Sequence, residues 1–352
     1  MTKPVRVTVF GKTDLGRTRD HNEDSFLVAD LTTKRASLLP EVREHTVGER
    51  GSLFMVADGM GGAAAGEVAS AMATELIYKH LTEQWGGDGE VNAQRFAFRM
   101  KEAVEAANAG INAYTRDHPE VRGMGTTCTA AGVFGPDLYL CQIGDSRGYL
   151  VRQGQAIQIT KDQSLMQRLV DAGELTEAEA ETSERRNIIL QALGPEPRVK
   201  VDLTHQALRR GDLLVLCSDG LSGQVKKDEI GELAAKHPDL GELCGALIAL
   251  ANERGGPDNI TAIAVRFDGE GLEPPGREEA VGHQVYPLQE NESTTEPVPV
   301  YTGSPAPKPL AEQQAARAAA PVRADGAGRL GLVLLLVALA AAAAVYFLTR
   351  AG

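Results

Sequence analysis

Short apolar runs closed by glycine or aspartate recur along the first 267 residues of the chain. Rich in Val, Ile, Leu and Thr, they predict strands over 5–10, 25–29, 53–57, 126–134, 138–143, 148–151, 201–205, 212–217 and 260–265. Apolar residues at helical spacing predict helices over 64–82, 93–116, 162–172, 228–236 and 240–253. Several strands follow one another through short turns, which suggests antiparallel sheets with helices packed outside and not a doubly wound parallel sheet. There is no internal repeat. After residue 267 the periodicity stops. Residues 268–328 carry EPPG, EPVPV and SPAPKP and then an alanine-rich run, a composition expected to form a flexible linker. Residues 329–349 contain LGLVLLLVALAAAAAVYFL, uncharged and long enough for a transmembrane helix. Arg317, Arg323 and Arg329 precede it and only Arg350 follows, a bias that puts its N-terminal side in the cytoplasm.

Composition narrows this picture. With 352 residues, 43% hydrophobic and 24% charged, the chain can bury a sizeable core. Its net charge of −12, without a long basic run, argues against nucleic acid as a partner. The four cysteines form no C-x-x-C pair, and Cys128, Cys141 and Cys217 lie in apolar strand-like runs. They are expected to be buried free thiols in a reducing compartment. The start, MTKPVRVTVFGKT, lacks the apolar core of a signal peptide, so the body is expected in the cytoplasm, tethered to the cell membrane by the 329–349 helix.

Candidate chemistry lies where strands run into glycine turns. Glu23 and Asp24 in RDHNEDSF, Asp58 in FMVADGMGG, Asp145 in CQIGDSRGYL, Asp219 in VLCSDGLSG and Asp258 in GGPDNITAI each abut an apolar run. A carboxylate there either caps a turn or binds a cation. Brought together, five such clusters would repel strongly unless cations neutralised them, and ligands that are all oxygen suit Mg²⁺ or Mn²⁺.

In order, R-x-x-x-E-D (Arg19, Glu23, Asp24), D-G-M-G-G at 58–62, G-T-T at 125–127, G-D-S-R at 144–147, S-D-G-L at 218–221 and D-N-I-T at 258–261 resemble the type-2C metal-dependent protein phosphatases, the PPM family, over about residues 5–267. The D-G-M-G-G form is similar to the bacterial branch. The resemblance implies an α+β fold, a four-layer α-β-β-α sandwich of two antiparallel sheets flanked by helices. It implies a serine/threonine phosphatase in which Asp58 bridges two metal ions. Asp219 and Asp258 complete one ion's ligands, Glu23 and the Gly59 carbonyl serve the other, and Asp145 with Asp219 holds a third. Arg19 would grip the substrate phosphate, with Asp24 and Asn259 just outside the ligands. A hydroxide shared by two cations about 3.5–4 Å apart would then attack phosphorus directly, with no covalent phosphoenzyme. Read alone, Arg19 fits better a surface arginine or a salt bridge to Glu23 or Asp24; beside the carboxylate set, phosphate binding is the favoured reading.

The chain departs from the family pattern in places. Met60 stands where many eukaryotic members carry the histidine proposed as general acid, leaving water or His21 as proton donor. Gln163 replaces a common histidine. Residues 31–51 form a charged insertion expected to be a solvent-exposed loop. The stretch from Lys161 to Gly194 resembles the family's flap, where substrate specificity is expected. A pseudophosphatase that binds metal or phosphopeptide without turnover is the alternative; the presence of Asp58, Asp219 and Asp258 argues against it. Partners implied are phosphorylated proteins, including membrane-bound Ser/Thr kinases and their substrates, met at raised effective concentration by a tethered enzyme.

Overall fold

The computed structural model describes residues 3–288, except 38, 40, 62–64 and 277–278. The expected membrane helix at 329–349, and the linker beyond 288, lie outside the described residues; among those described, no helix is long and apolar enough to cross a membrane.

Two sheets, antiparallel throughout, make the centre. One has the strand order Gln155–Gln158, Arg147–Arg152, Leu213–Cys217, Ile260–Asp268, Arg6–Asp14, Arg43–Thr46. The other runs Asp202–Ala207, Asp137–Ile143, Cys128–Phe134, Ser52–Met60, Asp24–Asp30, Arg35–Ser37, with the short Gly125–Thr126 strand beside Ser52–Met60. Side chains alternate across each strand. In Ser52–Met60, Phe54 and Val56 enter the core between the sheets, where they meet Phe26, Leu216, Ile263 and Val265. Leu53, Met55 and Ala57 face outward against Ala65–His80 and Ala93–Asp117, among Ile77, Phe96 and Met100. On the far side Val215, Cys217, Ala262 and Ala264 pack on Leu240–Glu253 through Leu243 and Leu247. Both faces of these strands are therefore covered, which is why they read in sequence as unbroken apolar runs. The expected four-layer sandwich is the fold found.

Two expectations need correction. The 31–51 insertion is no mere exposed loop: Arg35–Ser37 pairs with Asp24–Asp30 in one sheet and Arg43–Thr46 pairs with Arg6–Asp14 in the other. It thereby caps an edge of each sheet. Its far end is anchored where Arg50 donates to the carbonyls of Trp85 and Asp88, and Trp85 Nε1 donates back to the Arg50 carbonyl at 2.8 Å. The body also continues past residue 267. Leu272 is buried, Glu279 accepts from Arg209 and Arg152, and His205 N donates to Gln284 O while Tyr286 N donates to Leu203 O, both at 2.9 Å. Residues 282–286 thus strap the otherwise open edge of the Asp202–Ala207 strand. A truncation after 267 would expose that edge; a cut after 288 would not.

Candidate active site

The inner core stripe changes chemistry at one end of the sandwich. Phe54 and Val56 are followed two residues on by Asp58; Val28 and Phe26 are continued by Asp24; Leu214 and Leu216 lead to Ser218; Val265 and Ile263 lead to Thr261. The period of two that buries the apolar residues therefore aims these polar groups into the same gap between the sheets. Asp24 and Asp58 are direct cross-strand partners. The gap opens as a cleft of about 480 Å³ whose walls include Arg19, Glu23, Asp58, Gly59, Asp145, Asp219 and Asp258. Six acidic or phosphate-binding side chains expected from the sequence thus face one space.

Each is held by bonds spanning the chain. Asp58 N donates to Thr127 Oγ1 at 2.9 Å, and its carbonyl accepts from Thr127 N at 2.8 Å and Thr126 Oγ1 at 2.9 Å, so the G-T-T turn clamps it. Buried Asp24 accepts through Oδ2 from Ser218 Oγ at 2.7 Å and Thr261 Oγ1 at 2.6 Å. Asn259 locks the 15–23 loop: its Oδ1 accepts from Glu23 N at 2.9 Å, and its Nδ2 donates to the carbonyls of Leu15 at 3.0 Å and His21 at 2.9 Å. Asp219 starts a short turn of helix, Asp219–Ser222. The next residue has to be glycine, because a Cβ on Gly220 would lie 2.0 Å from the Asn259 carbonyl oxygen. That close approach brings Asp219 beside Asp258. Glu23 lies against the start of the Ala65–His80 helix, where a Cβ on Gly66 would meet its carboxyl carbon at 2.8 Å. Arg19 Nη2 donates to Asp258 Oδ2 at 2.7 Å; its partner is thus neither Glu23 nor Asp24.

Electrostatically the site is strained. Burial, then repulsion from Asp24 and Asp219, holds the Asp58 carboxyl well above its usual range. Burial raises Asp24 to about 7, against hydrogen bonds from Thr261 and Ser218. Asp145 is likewise pushed to about 7 by burial and by Asp219. Burial and Asp258 raise Asp219. Among the described residues no three acidic, histidine or cysteine side chains close on a single point; Asp58 and Asp219 lie within side-chain contact of each other, and Arg19 draws Asp258 to itself. One atom reports what the site suits. Asp219 Oδ1 is buried without any hydrogen-bond partner, a costly state for a carboxylate oxygen unless a cation meets it. With oxygen donors throughout, the residues fit hard divalent ions.

Residues 42–243 match the family described as protein phosphatase 2C. The serine/threonine phosphatase stp of Listeria monocytogenes is 34% identical over 258 residues, covering 73% of this chain and 94% of that protein. The chain belongs to the protein phosphatase 2C family. The serine/threonine protein phosphatase PstP of Mycobacterium tuberculosis is 43% identical over 212 residues, which are 60% of this chain but only 39% of that longer protein. The catalytic domain of PstP, solved in complex with 2 manganese ions, superposes with a TM-score of 0.61 at 36% identity, covering 75% of this chain and 99% of that one.

Within the phosphatase 2C frame the departures acquire places. Met60 lines the cleft mouth. Gln163 holds the G-D-S-R turn, its Oε1 accepting from Gly144 N at 3.1 Å, so an amide fixes the loop carrying Asp145. His21 lies on the cleft wall and is exposed. The flap-like stretch forms Leu165–Asp171 and Glu177–Thr182, and returns to put Asn187 and Ile189 on the cleft wall. Neither residue carries a signal in the sequence beyond lying in that stretch. Ser218, Thr261 and Thr127 sat inside quoted motifs without an assigned task. Gly66, in GGAAAGEVAS, had no signal at all.

The raised carboxyls make a pH prediction. A folded-state pKa near 7 for Asp24 and Asp145, against about 3.9 in an unfolded chain, means the fold retains protons that the unfolded chain has lost. Their stabilising effect is complete below about pH 4 and is lost as pH rises through 7. Chelator-treated protein is expected to lose about 2 kcal/mol per group between pH 5.5 and 8. Mn²⁺ should raise the melting temperature more at pH 8 than at pH 5.5. Equal increments at both pH values, by differential scanning fluorimetry, would contradict a cation site built from these carboxyls.

Proposed function

We propose that this chain removes phosphate from phosphoserine and phosphothreonine in proteins with the help of two divalent cations, Mn²⁺ or Mg²⁺. Glu23, Asp58, the Gly59 carbonyl, Asp219 and Asp258 would hold the pair, and Asp145 with Asp219 a third. The observation that carries the reading is the buried, partnerless Asp219 Oδ1 on the wall of a cleft that Asp58, Asp145 and Asp258 also line. Bound cations would lower the pKa of water toward neutrality and offset the charge of the phosphate. Arg19, exposed at the cleft mouth and held by Asp258, would turn its fork of donors to the phosphate oxygens. Asp24, fixed by Ser218 and Thr261, would keep a negative charge behind the ligands and orient water through its second oxygen. Asn259 would keep Arg19 and Glu23 in register with Asp258.

No cysteine is placed to be the nucleophile. All four cysteines are buried, and burial pushes the Cys128, Cys217 and Cys244 thiols up to about 12. Attack by water without a phosphoenzyme is the consistent course. Met60 cannot give a proton, so the leaving oxygen would take one from solvent or from His21. Anchoring by residues 329–349, with the catalytic body in the cytoplasm, belongs to the same proposal; it rests on the uncharged apolar run and would place the enzyme near membrane-bound phosphoproteins, Ser/Thr kinases among them.

The test is release of phosphate from a phosphothreonine peptide by the full chain. Turnover should require added Mn²⁺ or Mg²⁺ and cease with chelator. Robust turnover in chelator would refute the mechanism, and tight metal-dependent peptide binding without turnover would instead establish the pseudophosphatase reading.

A further inference from the structure

We propose that the returning edge of the flap, around Ile189, binds the main chain of the phosphoprotein substrate as an added β-strand; this rests on the phosphatase reading above. Leu165 N donates to Ile188 O at 2.8 Å, and Leu190 N donates to Gln163 O at 2.7 Å. Ser164 and Ile189 are therefore opposed as an antiparallel pair that exchanges no bonds of its own. In such a pair the N–H and C=O of Ile189 point away from Ser164. Among the described residues neither group has a partner. They form a one-residue sheet edge, with a donor and an acceptor ready for an extended chain.

Its position and surroundings fix the occupant. Asn187 and Ile189 line the same cleft as Arg19, Asp58 and Asp219, so a strand laid on this edge runs past the reaction site. An extended peptide would exchange two hydrogen bonds with Ile189 and send alternate side chains to opposite faces. Those on the Ile189 face enter the cleft, as the phosphorylated residue must. Their immediate neighbours fall on the face of Ile188 and Leu190, two of the few large apolar side chains left exposed, at 44% and 45%. Apolar residues next to the phosphorylated one are thus favoured through cross-strand contact. Arg185 and Arg186, exposed in the turn just before the edge, suit an anionic peptide. Main-chain pairing gives affinity without demanding a particular sequence.

The experiment uses the full chain with Mn²⁺ and a phosphothreonine peptide, together with a series in which one backbone amide at a time is N-methylated. Methylation should raise KM by about tenfold, the loss of one paired hydrogen bond, at the one amide that faces the Ile189 carbonyl. All other positions should change KM by less than about twofold, and kcat should hold throughout. Ile189→Pro, which removes the free N–H, should raise KM for the parent peptide by a similar factor, whereas Ile189→Val, which keeps it, should not. If the parent peptide is hydrolysed but no single methylated amide stands out from the rest, the strand-addition proposal is overturned and the phosphatase reading stands. If no peptide is hydrolysed at all, the phosphatase reading itself has failed.

Discussion

Asp58→Asn is expected to lower Mn²⁺-dependent kcat/KM toward a phosphothreonine peptide by at least roughly 10³-fold, about 4 kcal/mol of transition-state stabilisation, while making the metal-free protein more stable. The two halves of this expectation have one cause. Asp58 sits at the end of the inner core stripe, opposite Asp24 in the strand register, and its carboxyl is held well above the usual range by burial and by Asp24 and Asp219. In chelator at pH 8 that carboxyl is a cost to the fold, and a neutral amide of the same shape removes the charge repulsion. Its backbone, clamped by Thr126 and Thr127, does not depend on the side chain, so the geometry survives. With a cation present the balance reverses, because an amide is a weaker ligand than a carboxylate and cannot bridge two ions with full negative charge. Melting temperatures with and without Mn²⁺ separate these effects. Wild type should gain strongly from Mn²⁺, and Asp58→Asn should start higher at pH 8 and gain little. A variant that loses activity yet keeps the full Mn²⁺ increment would show that Asp58 is not a ligand.

How far the sequence reached is explained by where each element finds its contacts. The central strands were legible because they are covered on both faces: Leu53, Met55 and Ala57 serve one layer while Phe54 and Val56 serve another, so their apolar content is continuous, whereas Arg6–Asp14 was legible by its alternation. Arg35–Ser37, Arg43–Thr46 and Gln155–Gln158 were not legible. They are short strands at or near sheet edges, with polar residues and no alternation, and their partners alone make them strands. Residues 269–288 read as linker because their prolines and charges lack periodicity; long-range contacts such as that of Glu279 with Arg209 order them. The acidic residues were legible because a carboxylate beside a buried run is rare and here recurs. The groups that aim them were not. Ser218 and Thr261 reach Asp24 across 194 and 237 residues of chain, and Arg19 finds Asp258 across 239. A local pattern cannot encode such pairings; only the fold supplies them.

Arg19→Ala is expected to reduce kcat/KM for the phosphopeptide by about 10²–10³-fold, the scale of losing a preorganised donor to a developing charge, without weakening the response to metal. Among the described residues Arg19 is the one guanidinium on the cleft wall and no lysine joins it, so a phosphate dianion entering that space has it as the principal cationic donor. In the structure one nitrogen of its fork, Nη2, donates to Asp258 at 2.7 Å, and the pair is partly exposed, so the bond itself contributes little to stability. Removing the guanidinium frees Asp258 and lowers the local positive charge, both of which favour cation binding. The Mn²⁺ increment in melting temperature should therefore be unchanged or larger in Arg19→Ala. Lysine keeps the charge but not the planar fork, so Arg19→Lys should recover only part of the loss. The opposite outcome is equally readable. If Arg19 served only to pair with Asp258, the alanine variant would keep its kcat/KM within a few-fold and shift the metal response alone, and the phosphate would have to be gripped elsewhere.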